Sequence, residues 1–253
     1  MKVVIIGSGN VATVLGKKII GAGHHIIQII GRNEESVKEL AYQFNCDFSY
    51  KLNEINQLGD IYIIAVADKA VGVIAENLKL NKQLVVHTAA SVSARVLAGC
   101  SSNYGVLYPL QTLHKELLTL PSIPVMVDGN SDETTNQLIE FATQFADSVA
   151  IANDKERLKI HLAAVFANNF TNHLFSIADS LINVNSFSFS QLLPLIKETI
   201  VRIESNSPVK MQTGPAIRND EETIARHRKI LHSSPAVLNV YDAITASIVA
   251  FYK

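Results

Sequence analysis

The run Lys2-Val3-Val4-Ile5-Ile6, followed at once by Gly7-Ser8-Gly9-Asn10-Val11-Ala12, leaves this chain few folds to choose from. Val3 to Ile6 are all β-branched and apolar, which suits a short parallel strand buried on both faces. Gly7 and Gly9 then allow a tight turn and let the main chain approach an anion with no Cβ in the way. Val11, Val14, Leu15 and Ile19 recur at helical spacing, so a helix opens there with its unpaired N–H groups and positive dipole end aimed at the turn. Ala12 stands third in a G-x-G-x-x-G/A pattern, small enough for helix and strand to pack closely. Together these features predict a seat for a pyrophosphate, with Gly7, Ser8, Gly9, Asn10 and Val11 as candidate cofactor-binding residues.

A second strand over 24–30 ends at Gly31-Arg32-Asn33. A carboxylate near this point would accept hydrogen bonds from an adenosine ribose. None occurs before Glu34, and a guanidinium stands there instead. Arg32 can pair with a 2′-phosphate and stack on adenine, so Arg32 and Asn33 are expected to face the nucleotide and NADP is expected over NAD. The competing reading is a solvated arginine beside a helix that Asn33 caps.

Further on, the pattern predicts a helix over 34–45, a weak strand and helical turn within 47–56, and an apolar strand over 60–66. Ligands of doubly wound sheets lie beyond the carboxyl ends of the strands, so Ala65, Val66, Ala67 and Asp68 are expected to face the nicotinamide half of the cofactor. Asp68 is read as the N-cap of a helix over 69–78 in preference to a catalytic acid. A strand over 84–87 runs into the loop bearing Ser91, and Ser93 is expected to cap a helix over 94–98. The strand expected over 105–108 stops at Pro109, and Gln111 lies in its polar exit. A strand over 124–127, a helix over 131–145 and a strand over 148–151 complete a mostly parallel sheet. His87 and His114 are read as structural histidines.

From 152 onward the apolar period is helical, dividing the chain into an α/β domain over 1–152 and an all-helical domain over 153–253. Asn153 with Glu156 resembles a capping box opening a long helix over 154–183. An Asn/Ser/Phe-rich loop over 183–190 follows, then a helix over 191–205. Asn219 is expected to cap a helix reaching 231, and Ser234-Pro235 to open the last one. On the long helix His161, Val165, Asn168, Asn169 and Asn172 fall on one face. Unpaired amides there would each cost about 1–3 kcal/mol when buried, so the stripe is expected to line a wet cavity or to bond another helix.

Composition narrows the function. A net charge of −1 and no basic cluster give no electrostatic case for nucleic acid or an anionic membrane. Cys46 and Cys100 fit neither a disulfide framework nor a metal motif, so no metal is expected. The apolar N-terminus is short and glycine-broken, unlike a signal peptide or membrane span, and a cytoplasmic location is expected. At 253 residues and 48% hydrophobic, the chain has material for two cores.

The phrases Ala65-Val66-Ala67-Asp68, His87-Thr88-Ala89-Ala90-Ser91, Tyr108-Pro109-Leu110-Gln111-Thr112, Ala163-Ala164-Val165-Phe166-Ala167-Asn168-Asn169-Phe170 and Thr213-Gly214-Pro215 resemble the Rossmann-like proteins with a DUF2520 C-terminal domain. These lie within the broad superfamily of 6-phosphogluconate and 3-hydroxyisobutyrate dehydrogenases and pyrroline-5-carboxylate reductases. The resemblance spans essentially the whole chain and implies NADP binding, a helical homodimerisation domain and reductase chemistry. One departure stands out. Where the hydroxyacid dehydrogenases place a catalytic lysine one turn before an asparagine, alignment on Asn169 puts Val165, which exchanges no proton.

The leading expectation is an NADP(H)-dependent oxidoreductase passing hydride between nicotinamide and a carbonyl or imine carbon of a small substrate at the domain junction. His161 is the candidate acid, with Asn169, Ser91 and Gln111 as further candidate catalytic groups. The alternative is a non-catalytic NADP-binding sensor or regulatory protein, for which Val165 speaks.

Overall fold

The computed structural model describes residues 1–116, 119–182 and 187–252. Eight strands form one sheet: β1 (Lys2–Ile6), β2 (His25–Ile30), β3 (Asp47–Ser49), β4 (Ile61–Ile64), β5 (Leu84–His87), β6 (Tyr104–Pro109), β7 (Pro124–Gly129) and β8 (Ser148–Ile151). Their spatial order is β3-β2-β1-β4-β5-β6-β7-β8, parallel throughout except that β6 and β7 run antiparallel. The expected α/β class with a mostly parallel sheet followed by helices is the observed one.

Helices α1 (Asn10–Gly21), α2 (Glu34–Phe44), α3 (Asp68–Asn77) and α4 (Asp132–Ala142) cover the sheet. The pleat of β1 divides its residues between two cores. Val3 and Ile5 pack with Leu15, Ile19, Leu40 and Phe141 on one face, while Val4 and Ile6 pack with Val71, Leu78 and Leu97 on the other. Burying each such side chain contributes roughly 1.5–3 kcal/mol. A strand covered on both sides must therefore be apolar at every position, which is why its sequence does not alternate.

Local differences from the expected elements have physical causes. Strand β6 continues through Pro109, because β5 pairs with it only as far as Val106 and no partner there needs the missing N–H. Helix α3 begins at Asp68 itself, with Ala67 at the N-cap position, so the aspartate caps nothing and its side chain is directed elsewhere. Asn33 caps α2 as expected, accepting from the Ser36 N–H at 2.9 Å. Ser93 accepts from the Arg95 N–H, opening a single 3-10 turn over Ala94–Leu97.

The polypeptide divides into two compact units, Met1–Ala167 and Asn168–Lys253. Helix α5 (Asp154–Ala164) opens on the Asn153 and Glu156 capping box and belongs with the sheet. The domain boundary expected at 152 and this division differ because Arg157 ties α5 back onto the sheet. Its side chain is 1% exposed, and its guanidinium donates to the carbonyls of Ala90, Ala152 and Val92 and to Asp154.

The helix expected over 154–183 is not continuous. A π-helical segment, Val165–Phe170, separates α5 from α6 (Thr171–Leu181). Six residues wound with i→i+5 bonds shift the helical phase, so the single polar face inferred from a constant 3.6-residue period does not carry through. Asn168, Asn169 and Asn172 are exposed. The end of that helix at 183 and part of the loop expected over 183–190 fall outside the described residues.

The second unit continues with α7 (Leu193–Ser205), α8 (Glu221–Leu231) and α9 (Pro235–Phe251). Asp220, not Asn219, caps α8 by accepting from the Thr223 N–H at 3.0 Å. Asn219 instead takes a left-handed turn with φ 53°, a conformation its short amide tolerates. Arg228 to Asp242 at 2.7 Å and His227 to Tyr241 at 2.9 Å join α8 to α9. Much apolar side chain in this unit faces outward, Leu195 at 67% and Phe251 at 70% among it. No helix of the described residues is long and apolar enough to cross a membrane.

Candidate functional site

The glycine corner is built as a place for an anion. Gly7 has φ 132°, and a Cβ there would lie 2.1 Å from the carbonyl oxygen of Ala65, so β1 and β4 can approach this closely only around a glycine. A Cβ at Gly9 would meet nothing within 4 Å, which leaves open space in front of α1. Gly9 is the N-cap residue of α1 and has no side chain to bond the amides of the first turn. Those donors are offered to whatever lies in that space. Ser8 Oγ sits 2.7 Å from Ser36 Oγ and fastens the turn to α2.

A groove of about 1020 Å³ runs from this corner along the carboxyl edge of the sheet. It is lined by Gly7, Ser8, Gly9, Asn10, Val11, Arg32 and Asn33 on one side and by Ala65, Val66 and Ala67 on the other. Asp68 is not part of that lining. Tyr50, Leu52, Asn53, Lys69, Val73 and Asn77 also border it. The phenol oxygen of Tyr50 is buried with no hydrogen-bond partner among the described residues, an unmet bonding capacity at the border of the groove. The size, the open glycine corner and this orphaned hydroxyl all fit a dinucleotide.

Further along the same edge lies a polar cluster. In the parallel ladder Ile6 pairs with Ile64, Ile64 with His87, and His87 with Val106. Beyond that row the chain leaves β1 at the glycine corner and runs through Tyr108 at the end of β6, both at the carboxyl edge of the sheet. Ser91 Oγ donates a short hydrogen bond to the Asp68 carboxylate. The Tyr108 hydroxyl lies 3.0 Å from His161 Nδ1, with the two rings nearly edge to face. Burial, and then the negative charge of Asp68, push the Tyr108 phenol pKa up, against the opposing pull of Arg157.

His87 lies fully buried beneath the cluster. Its Nδ1 accepts from the Ala89 N–H at 3.2 Å, which assigns the remaining ring proton to Nε2, facing the Ser93 carbonyl at 3.4 Å. Desolvation, followed by the charge of Arg157, lowers its pKa to about 4. It is a structural histidine.

The sequence candidates are thus distributed unevenly. Ser91 and Asp68 are joined to each other, and His161 to Tyr108. Gln111 is bound within its own loop, donating to the Ser122 carbonyl at 2.9 Å. Asn169 lies in the second unit, exposed in the π segment. Tyr108, Arg157 and Tyr50 were not singled out by sequence. A tyrosine before a proline at a strand end reads as core, and a lone arginine in a charged first turn reads as surface.

An eight-stranded Rossmann-type sheet, a glycine corner before its first helix and a helical second half define the class: a dinucleotide-binding α/β protein with an all-helical C-terminal part. Residues 2–91 match the family described as NADP oxidoreductase coenzyme F420-dependent, and residues 123–248 match a domain of unknown function, DUF2520. A Bacteroides fragilis protein provisionally assigned as an NADP oxidoreductase is 36% identical, over 98% of each chain, with a TM-score of 0.89. The chain belongs to this family of NADP oxidoreductases with a DUF2520 C-terminal domain. The fold is shared with 1-pyrroline-5-carboxylate reductase from Streptococcus pyogenes, at 17% identity over 99% of this chain and 98% of that one, TM-score 0.65. It is shared also with a reductive aminase from Aspergillus terreus in complex with NADPH and ethyl-5-oxohexanoate, at 16% identity over 80% and 73%, TM-score 0.64. No curated protein matches the chain by sequence.

Proposed function

We propose that this protein is an NADP(H)-dependent oxidoreductase acting on a carbonyl or imine carbon of a small substrate. The observation that carries the reading is the placement, on one carboxyl edge, of an open glycine corner and groove next to a hydroxyl, carboxylate and imidazole cluster. The amides opening α1 would hold the pyrophosphate, Arg32 and Asn33 the 2′-phosphate end, and the 65–68 backbone the nicotinamide half. Bound NADPH supplies the hydride; the chain's own part is to orient, to exclude water and to manage a proton. Ser91 and His161 are proposed substrate-side groups, with Gln111 and Asn169 kept on the chemical ground that amides bond carbonyls.

The test has two arms. Fluorescence titration with NADPH and NADH should show tighter binding of NADPH, and equal affinity would remove the 2′-phosphate assignment. NADPH oxidation should then be seen with at least one compound among 1-pyrroline-5-carboxylate, ethyl-5-oxohexanoate and a panel of 2- and 3-oxo acids. Tight binding with no oxidation across the panel would favour a cofactor-sensing protein, the reading that Val165 supports.

The outward apolar side chains of the second unit support a further proposal, a homodimer formed through the helical part. Light scattering on the eluting full chain should give twice the 27.6 kDa chain mass. A monomer at micromolar concentration would remove it.

A further inference from the structure

Reduction of a C=O bond by hydride needs a proton for the oxygen, and the groups at this edge differ in whether they hold one to give. Ser91 has committed its hydroxyl hydrogen to Asp68. His87 is fully buried with one ring nitrogen on an amide and the other facing a carbonyl. Val165, at the position where resemblance leads one to look for a lysine, carries no exchangeable proton. Tyr108 is different. It stands near the carboxyl end of β6, two residues past Val106, the last that β5 pairs; its hydroxyl touches His161, and the His161 ring is only half buried.

We propose that Tyr108 is the catalytic proton donor and that His161 is the relay that restores its proton. The inference rests on the reductase reading above. In the step, hydride adds to the carbonyl carbon, the π electrons move to oxygen, and the Tyr108 O–H bond breaks as the new O–H bond forms. The nicotinamide is oxidised and the carbonyl reduced. The tyrosinate then takes the proton from His161 Nδ1 as Nε2 accepts one from a solvent hydronium ion, so the ring stays neutral and one solvent proton is consumed for each hydride; exchange with water afterwards returns the ring proton to Nδ1. For the phenol to keep its hydrogen for substrate, the His161 ring must carry its proton on Nδ1 and donate to the phenol oxygen. An iminium arrives already protonated, and its reduction draws on neither residue.

Two measurements test this. In ligand-free protein labelled with 15N-histidine, assigned by difference from His161→Asn, the His161 ring should show a protonated Nδ1 whose resonance moves in Tyr108→Phe. A ring found only as the Nε2–H tautomer, with Nδ1 as acceptor, or a resonance unmoved by Tyr108→Phe, overturns the relay. This arm requires no turnover, and its first readout requires no folded Tyr108 variant.

In the second measurement, Tyr108→Phe should lower kcat for ethyl-5-oxohexanoate by about 10²–10⁴-fold, with the NADPH Kd unchanged. The same variant should change kcat for 1-pyrroline-5-carboxylate, presented as the iminium, by less than about threefold. Equal loss on both substrates makes Tyr108 merely structural, and no loss on the ketone removes it as donor; both outcomes leave the reductase reading standing. Wild-type protein that binds no NADPH, or binds it and oxidises none with any compound of the panel given above, removes the reductase reading and the donor role with it.

Discussion

Arg157 donates from Nη2 to the Val92 carbonyl at 2.7 Å and from Nε to the Ala90 carbonyl at 3.2 Å, gripping the β5 exit loop on both sides of Ser91. The same guanidinium meets Asp154 at 2.7 Å and Asp128 at 3.8 Å. A helix 67 positions downstream of Ala90 thereby sets where Ser91 stands against Asp68.

Arg157→Met would leave three carbonyls and two carboxylates without this donor. Since Asp154 is partly solvated, part of the loss is screened, and a destabilisation of about 2–3 kcal/mol is expected. Urea denaturation of the full chain checks it. Arg157→Lys, a point charge that cannot serve all three carbonyls, should recover less than half of the loss.

Gly7 and Gly9 should respond in opposite ways. Gly7→Ala drives a Cβ into the Ala65 carbonyl at a positive φ, and a loss of several kcal/mol, on the order of 3 or more, should appear in the denaturation midpoint. Gly9→Ala meets open space and should keep stability within about 0.5 kcal/mol. Its methyl would intrude on the phosphate seat, so NADPH affinity should fall at least tenfold while the melting curve barely moves.

Arg32→Gln removes the charged fork at the end of β2. A charge-assisted bond to phosphate contributes about 1.5–3 kcal/mol, so the Kd for NADPH should rise roughly 10- to 100-fold and approach that for NADH. The NADH titration should be nearly unaltered, and raising salt should mimic the substitution in the wild type.

His87 makes the fold acid-sensitive. Its folded pKa, about 4, lies below the ordinary 6.5, so the unfolded chain binds more protons between those values. The stabilisation is therefore complete above pH 6.5, falls as pH drops toward 4, and amounts to about 3 kcal/mol. Denaturation midpoints measured from pH 7.5 to 4 should show this slope, and His87→Gln should flatten it. Asp147, held at about 2 by hydrogen bonds from Ser122 and the Ile123 N–H, contributes only below that window.

Much of the fold was legible because the physics is local. Val3 to Ile6 and the residues 61–66 are apolar at consecutive positions, which only a strand covered on both faces demands, and Asn33 or Asn153 announces a helix through bonds to residues two or three away. The glycine corner was legible for the same reason. What escaped depends on distance in the chain. Tyr108 and His161 are 53 positions apart, and nothing near either one signals the other. Arg157 looks like one more charge in a charged turn until three carbonyls from elsewhere converge on it. Asp68 has the sequence setting of a cap, an aspartate at a strand exit, yet its carboxylate pairs with Ser91, 23 positions on.

The π turn at Val165–Phe170 carries a lesson for comparing this chain with others. A wider turn absorbs a surplus residue without any loop, so a relative wound as plain α through this stretch would carry one residue fewer yet superimpose before and after it. Counting back in fours from Asn169 then lands a step out of register, and Val165 need not be the counterpart of a dehydrogenase lysine at all. Relatives should be matched to this chain separately upstream of 165 and downstream of 170. In such a match the position to compare first is His161, which lies on the near side of the slip and keeps its place on the sheet.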